Sequence, residues 1–269
     1  MNTIKLIATD IDDTLLDSRK RISARAKAAV READRRGIRF CLASGRAPQA
    51  MGFLMEELGV NMALGCYSGA LTFLDGQKVG SHALPFDHFR AILHLLEGFS
   101  CSTFIYGTND WYSQTADQWY WKECKIVHYD GIVIDFNTLL KEHETAGIPL
   151  YKLVIMQEDP NILQQIEDAL RGLGLGLMIF KSSPFFIEVN PMNIDKGTTI
   201  NDVASHWDID IADTLAIGNY YNDIGMLKAA GTSIAMANSP QAVKSCASRT
   251  SIQDMDHEGF ALEMERILD

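Results

Sequence analysis

The sequence predicts an α/β fold: a doubly wound, Rossmann-like parallel sheet core with an inserted α+β cap domain. Three observations predict it. Short β-branched apolar runs alternate with helical stretches at the N-terminus, the same alternation returns near the C-terminus, and the middle of the chain has a different composition and rhythm.

The elements follow in order. "IKLIATDI" (4–11) is an apolar, β-branched run of the kind a strand buried on both faces requires. "SARAKAAVREADRRG" (23–37) has helical periodicity and ends on Gly37, a good residue just past a helix end. "IRFCLAS" (38–44) is a second strand, "GRAPQAMGFLMEELG" (45–59) a helix closing on Gly59, and "NMALGCYSGALTF" (61–73) a further strand and turn. Towards the C-terminus, "GTTINDVASHWD" (197–208) is helical, "DTLAIG" (213–218) a strand, and "DIGMLKAAG" (223–231) a helix. "TSIAMAN" (232–238) is a strand, "SPQAVKSCAS" (239–248) a helix with Pro240 in its first turn, and "EGFALEMERIL" (258–268) an amphipathic helix. Between these blocks lie the aromatic-rich "YGTNDWYSQTADQWYW" (106–121), the alternating strand "LYKLVIMQ" (150–157) and the helix "PNILQQIEDALRGLG" (160–174). The expected division is a core of residues 1–82 and 186–269 with an insertion of residues 83–185.

Composition bounds the function. With 269 residues, 47% hydrophobic and 22% charged, the chain can bury one or two cores. A net charge of −11 opposes binding a polyanion through a broad basic face, so no nucleic-acid partner is expected. Five scattered cysteines form neither a CxxC pair nor a metal-ligand spacing with histidine, which fits reduced thiols. "MNTIKLIATD" lacks the features of a secretory leader, and "GLGLGLMIF" (172–180) is too short to span a bilayer. The expectation is a cytoplasmic protein without membrane attachment, monomeric or weakly homo-oligomeric.

Chemistry concentrates where strands end. The first strand runs into Asp10-Ile11-Asp12-Asp13-Thr14, and carboxylates at that end of a buried parallel strand lie where doubly wound folds bind ligands. Packed together they need a cation or a proton, although an acidic turn or helix cap reads the same way. Ser44-Gly45-Arg46 follows the second strand, either an anion cradle or an ordinary hydroxyl turn beside a surface arginine. Lys196-Gly197 opens a helix against the macrodipole, which an anionic partner would help explain, although the motif taken alone reads first as a single surface lysine. Asn219 and Asn222-Asp223 sit in a turn after the strand 213–218. In conjunction these residues supply a nucleophile, an anion site, a cationic clamp and metal ligands, the parts needed for phosphoryl transfer.

At these residues the chain resembles the haloacid dehalogenase (HAD) superfamily. "DIDDTLL" resembles its DxDxT signature, and "LASGR" (42–46), "NIDKG" (193–197) and "GNYYNDIGML" (218–227) match its later motifs in order. "YSGALTF", "AGTSIAMANSPQAVK" and "DHEGFAL" are similar to the Cof-type group with a type-IIB cap. The resemblance implies a Mg²⁺-dependent phosphatase for small phosphorylated metabolites, sugar phosphates foremost. Asp10 would be the nucleophile and Asp12 the acid and base, which requires its surroundings to raise its pKa. Ser44, Gly45, Lys196 and Asn222 would bind phosphate. Asp10, the Asp12 carbonyl and Asn219 would bind Mg²⁺, with Asp223 steadying Lys196 or the metal's waters. The cap would close over the substrate and set specificity.

The departures matter. Asn219 stands where the family has its main fourth-motif aspartate. An amide oxygen still coordinates Mg²⁺, but one formal charge is gone. At about 2.1 Å and an effective dielectric of about 20, that charge is worth roughly 8 kcal/mol in gross Coulomb energy, most of it offset by desolvation. Weakened Mg²⁺ affinity is expected. Ser68 replaces a common asparagine and Asp13 a common glycine. Trp111, Trp119, Trp121, Tyr112 and Tyr120 would either stack on a sugar or form the cap's own core, the second being favoured. A phosphotransferase or mutase on the same core, and a phosphate-binding regulatory protein without turnover, are the alternatives.

Overall fold

The computed structural model describes residues 3–127 and 129–269. The leader reading touches Met1 and Asn2, which with His128 lie outside the described residues. The chain divides into two compact units. One comprises the residues up to Arg46, Met51–Ser81 and Asp195–Asp269; the other comprises Ala47–Ala50 and His82–Ile194.

The first unit opens with β1 (Leu6–Thr9), α1 (Ala24–Arg35), β2 (Arg39–Ala43), α2 (Gly52–Leu58), β3 (Ala63–Cys66), β4 (Leu71–Leu74) and β5 (Gln77–Ser81). In β1 every residue is buried, as a two-sided parallel strand demands. The Ser23 side chain accepts from Ala26 N–H to start α1, and Gly37 at φ 81° follows its end. The expected helix at 45–59 is only Gly52–Leu58. Pro48 lies in a separate short turn, Pro48–Ala50, and Met51 at φ −120° breaks the path between them.

The second unit holds α3 (Phe86–Leu96), β6 (Ser102–Gly107), β7 (Trp111–Ser113), α4 (Gln118–Val127) and β8 (Ile132–Val133). It continues with α5 (Phe136–Ala146), β9 (Leu150–Met156), α6 (Pro160–Gly172), β10 (Leu177–Ser183) and β11 (Phe186–Pro191). The strands form one sheet in the order β10-β11-β9-β6-β7-β8. Ile105, Leu153, Ile155, Ile187 and Val189 pack with Phe89, Leu140 and Ile166 of the helices into its core. Phe186–Pro191 was expected to begin the core; it instead pairs antiparallel with β9 and β10, which moves the boundary from 185/186 to 194/195. Trp111, Tyr112 and Tyr120 are buried, Trp111 meeting Phe104 edge-on at 4.9 Å, so these aromatics belong to the unit's own core. Trp119 packs on Phe186 at 5.4 Å, and Trp121 is exposed.

The chain returns to the first unit with α7 (Lys196–His206), β12 (Thr214–Gly218), α8 (Ile224–Ala229), β13 (Thr232–Ala235), α9 (Gln241–Lys244), β14 (Arg249–Thr250) and α10 (Gly259–Leu268). Its sheet runs β14-β13-β12-β1-β2-β3-β4-β5, parallel from β14 to β3 and antiparallel beyond. The chain winds outward from β1 through β2 and β3, and on the other side from β12 through β13 and β14. The junction of β1 and β12 is therefore the switch point where such sheets place their sites. Among the described residues no helix is long and apolar enough to cross a membrane.

Candidate active site

Asp10 leaves the end of β1 with its N–H donating to Ile217 O of β12 at 2.9 Å, which seats it at the switch point. It is 5% exposed. Lys196, 1% exposed, donates from Nζ to Asp10 Oδ1 at 2.5 Å and to Asp223 Oδ1 at 2.6 Å. The lysine that ran against the helix dipole is thus explained by two carboxylates sharing one ammonium.

Backbone packing builds this arrangement. Asp195 caps α7 by accepting from Gly197 N–H at 2.7 Å. A Cβ on Gly197 would lie 2.8 Å from Gly225 O, and one on Gly225 would lie 2.0 Å from Asp195 Oδ2. Glycine at both positions lets α7 and α8 cross closely and sets Lys196 beside the turn after β12. Gly69, at φ 98°, supports the same corner, since a Cβ there would fall 2.0 Å from Asp195 O.

Asp223 organises the turn itself. Its Oδ2 accepts from Asn219 N–H at 2.8 Å and from Tyr220 N–H at 2.9 Å. Of the two roles expected for Asp223, its contacts show the steadying of Lys196. Asn219 is buried at the end of β12, whereas Asn222 is exposed in the turn. Ser44, buried at the end of β2, accepts from Arg46 N–H at 3.3 Å through Oγ, and Gly45 joins the two.

Burial pushes the Asp10 carboxyl up to about 7; Asp223 adds to the rise and Lys196 opposes it. Burial alone would lower the Lys196 pKa, but Asp10 and Asp223 outweigh it and hold the ammonium above its ordinary value. Asp12 contradicts the expectation that its pKa is raised. Burial does push it upward, yet Arg46 and Lys20 overcome that and hold the carboxyl below its ordinary value. Arg46 grips both oxygens, Nε to Oδ2 at 3.1 Å and Nη2 to Oδ1 at 2.9 Å, and Lys20 Nζ lies 3.1 Å from Oδ1. Arg46, read as a possible surface arginine, and Lys20, not singled out at all, are the residues the sequence reading missed. The one available signal was the arginine's place directly after Ser44-Gly45.

All five cysteines are free thiols. Burial pushes Cys41 up to about 12 and also raises Cys66, which makes both poor nucleophiles. Among the described residues no group of three His, Cys, Asp or Glu side chains is placed to hold a metal ion. The donors that the resemblance assigns are the Asp10 carboxylate and the Asn219 amide, at the ends of β1 and β12, and the Asp12 carbonyl. All three are hard oxygen ligands of the type Mg²⁺ takes. Two buried carboxylates stand against one ammonium, and Asp223 adds to the rise that burial imposes on the Asp10 carboxyl. The residues therefore fit a hard cation, with one anionic ligand fewer than a carboxylate at 219 would give.

Residues 7–264 match the family described as haloacid dehalogenase-like hydrolase. The chain belongs to this family. It is 29% identical over 255 residues to the 5-amino-6-(5-phospho-D-ribitylamino)uracil phosphatase YcsE of Bacillus subtilis, covering 93% of this chain and 92% of that one. It is 26% identical over 287 residues to phosphatase YwpJ of the same organism, covering 98% of this chain and 100% of that one. A haloacid dehalogenase-like hydrolase from Bacteroides thetaiotaomicron superposes with a TM-score of 0.86 at 28% identity, covering 98% and 100% of the two chains. The fold is also that of a HAD subclass IIB sugar phosphatase, at a TM-score of 0.81 and 20% identity over 97% and 98%.

Proposed function

We propose that the protein is a phosphatase that hydrolyses small phosphorylated metabolites, sugar phosphates foremost, through an aspartyl-phosphate on Asp10. The observation that carries this reading is the Lys196 bridge between two buried carboxylates at the switch point. A buried ammonium beside a strand-end carboxylate offsets the charge of a phosphoryl group that the carboxylate attacks. Both Bacillus subtilis relatives are phosphatases by name.

In the first half-reaction an Asp10 oxygen forms a bond to phosphorus while the phosphorus–oxygen ester bond breaks. Lys196, Ser44 Oγ and the amides about Gly45 are assigned the phosphoryl oxygens, with Asn222 at the rim. The departing alkoxide takes a proton from Asp12. In the second half-reaction Asp12 accepts a proton from water, whose oxygen attacks the phosphorus and frees Asp10. Ionised Asp12 is in the form this second step needs. The first step requires it to give up Arg46 for a proton. Mg²⁺, held by Asp10, the Asp12 carbonyl and Asn219, would supply charge neutralisation at the phosphoryl oxygens. The inserted unit is assigned the choice of leaving group.

Asn219 favours a second reading, a phosphate-ligand-binding protein with little turnover. Phosphate release from a sugar-phosphate panel across a Mg²⁺ titration separates the two. The phosphatase reading expects Mg²⁺-dependent release from the native protein; no release at saturating Mg²⁺, with release restored in Asn219→Asp, rejects it.

A further inference from the structure

We infer that Asn238 is a positioning residue for the turn that carries Asp12, and that it is needed because position 13 holds an aspartate in a left-handed conformation. Its kinetic consequence rests on the phosphatase reading; its structural consequence does not.

The stretch Ile11–Leu15 changes conformation within two residues. Asp12 is extended at φ −75°, ψ 127°, and Asp13 is left-handed at φ 58°, ψ 21°. A glycine adopts the second conformation freely, whereas an L side chain there is disfavoured. Leu16 N–H donates to Ile11 O at 2.9 Å and closes the turn around Asp13, and two side-chain contacts reach the residue itself. Lys20 Nζ donates to Asp13 Oδ1 at 3.0 Å, but this lysine is half-exposed and stands at φ 58° itself. Asn238 Nδ2 donates to the Asp13 carbonyl oxygen at 3.0 Å, from 225 residues further along the chain. That second bond fixes the orientation of the Asp13 peptide, which the side-chain contact of Lys20 leaves free to turn.

The loop bearing Asn238 is itself anchored. Met236 N–H donates to Gly218 O at 2.9 Å, Ala237 N–H to Ser251 Oγ at 2.8 Å, and Ser239 N–H to Met236 O at 2.9 Å. Gly218 ends β12, the strand that leads into Asn219 and Asp223. Asn238 therefore ties the Asp12 turn to the frame that locates the Lys196 bridge. The residue is exposed and buries no core surface, so the contribution of its side chain is this bond. Without it Asp13 can relax toward the right-handed region, and the Asp12 carboxyl loses its fixed place beside Arg46.

A double-mutant cycle tests this, with Asn238→Ala, Asp13→Gly and the double variant, and Asn238→Asp as a control whose carboxylate cannot donate to a carbonyl. The readouts are kcat and KM for a phosphoester, and hydrogen exchange of the 10–16 segment. Asn238→Ala and Asn238→Asp are expected to lower kcat roughly two- to tenfold, the range one neutral hydrogen bond supplies, with KM changed by less than about twofold. Exchange in 10–16 speeds up by a similar factor. In the Asp13→Gly background the same alanine substitution has an effect below about twofold on both readouts, because glycine no longer needs the restraint. Equal losses in both backgrounds, or no loss from Asn238→Ala, overturn the proposal. If native protein hydrolyses no phosphoester, the phosphatase reading fails while the exchange measurements still decide the role of Asn238.

Discussion

Replacing Lys196 with methionine removes the ammonium and keeps most of the side chain's volume. Nζ lies 2.5 Å from Asp10 Oδ1 and 2.6 Å from Asp223 Oδ1, and none of the three side chains is more than 8% exposed. Removing one partner from a buried ion pair costs about 3–5 kcal/mol, because a charge is left without compensation. A proton on Asp10 limits that loss, which gives the penalty a pH dependence. Burial and Asp223 already push the Asp10 carboxyl up to about 7 against the pull of Lys196, and without the lysine it rises further. A raised carboxyl pKa favours the folded state at low pH, and the advantage is lost as pH rises through the folded value. The native protein completes this loss near pH 7, whereas the variant goes on losing above it, by up to ~1.4 kcal/mol per pH unit. Urea unfolding of metal-free protein, followed by circular dichroism at about pH 6 and about pH 8.5, measures both. The penalty should reach about 3 kcal/mol or more at the higher pH and be smaller at the lower. A penalty below about 1 kcal/mol, or one equal at both pH values, refutes the reasoning.

Three further outcomes follow from the geometry. Asn219→Asp should tighten Mg²⁺ binding by roughly tenfold in calorimetry, about 1.4 kcal/mol, and unchanged affinity removes position 219 from the ligand set. Arg46→Lys replaces a two-pronged grip on Asp12 with a point charge at a partly exposed pair, so stability should change by less than about 1 kcal/mol. The Asp12 pKa should rise toward its ordinary value, moving the acidic limb of the kcat–pH profile to higher pH; an unmoved limb contradicts the assignment of Asp12 as base. Trp111→Ala should cost about 3–5 kcal/mol in urea unfolding and Trp121→Ala less than about 0.5 kcal/mol, since the first ring is fully buried and the second is exposed. Comparable losses at both would mean that the exposed ring packs in solution.

The sheet core was legible because its signals are local. An apolar run such as 4–11 and a glycine-terminated amphipathic stretch such as 23–37 report their own burial and ends. Residues 186–191 read as part of the core rather than of the second sheet, because the partners of this strand, β9 and β10, are a tertiary choice that no local pattern encodes. In the site, Asp10, Ser44, Lys196 and Asp223 could be picked out by residue type at strand and helix ends. The state of Asp12 could not. Burial and two cations act on it in opposite directions, and the sign depends on Arg46 lying within hydrogen-bonding distance, 34 residues away in sequence. The Asn238 contact to Asp13 spans 225 residues and leaves no mark on either neighbourhood.

The central claim is that Asp10 becomes phosphorylated during turnover. Rapid acid quench with a radiolabelled phosphoester, followed by peptide mapping, reads it directly. The account predicts a hydroxylamine-labile phosphate on the peptide containing Asp10 in the native protein and none in Asp10→Asn, together with loss of turnover in that variant. Turnover by the native protein with no label on this peptide, or sustained turnover by Asp10→Asn, would contradict it.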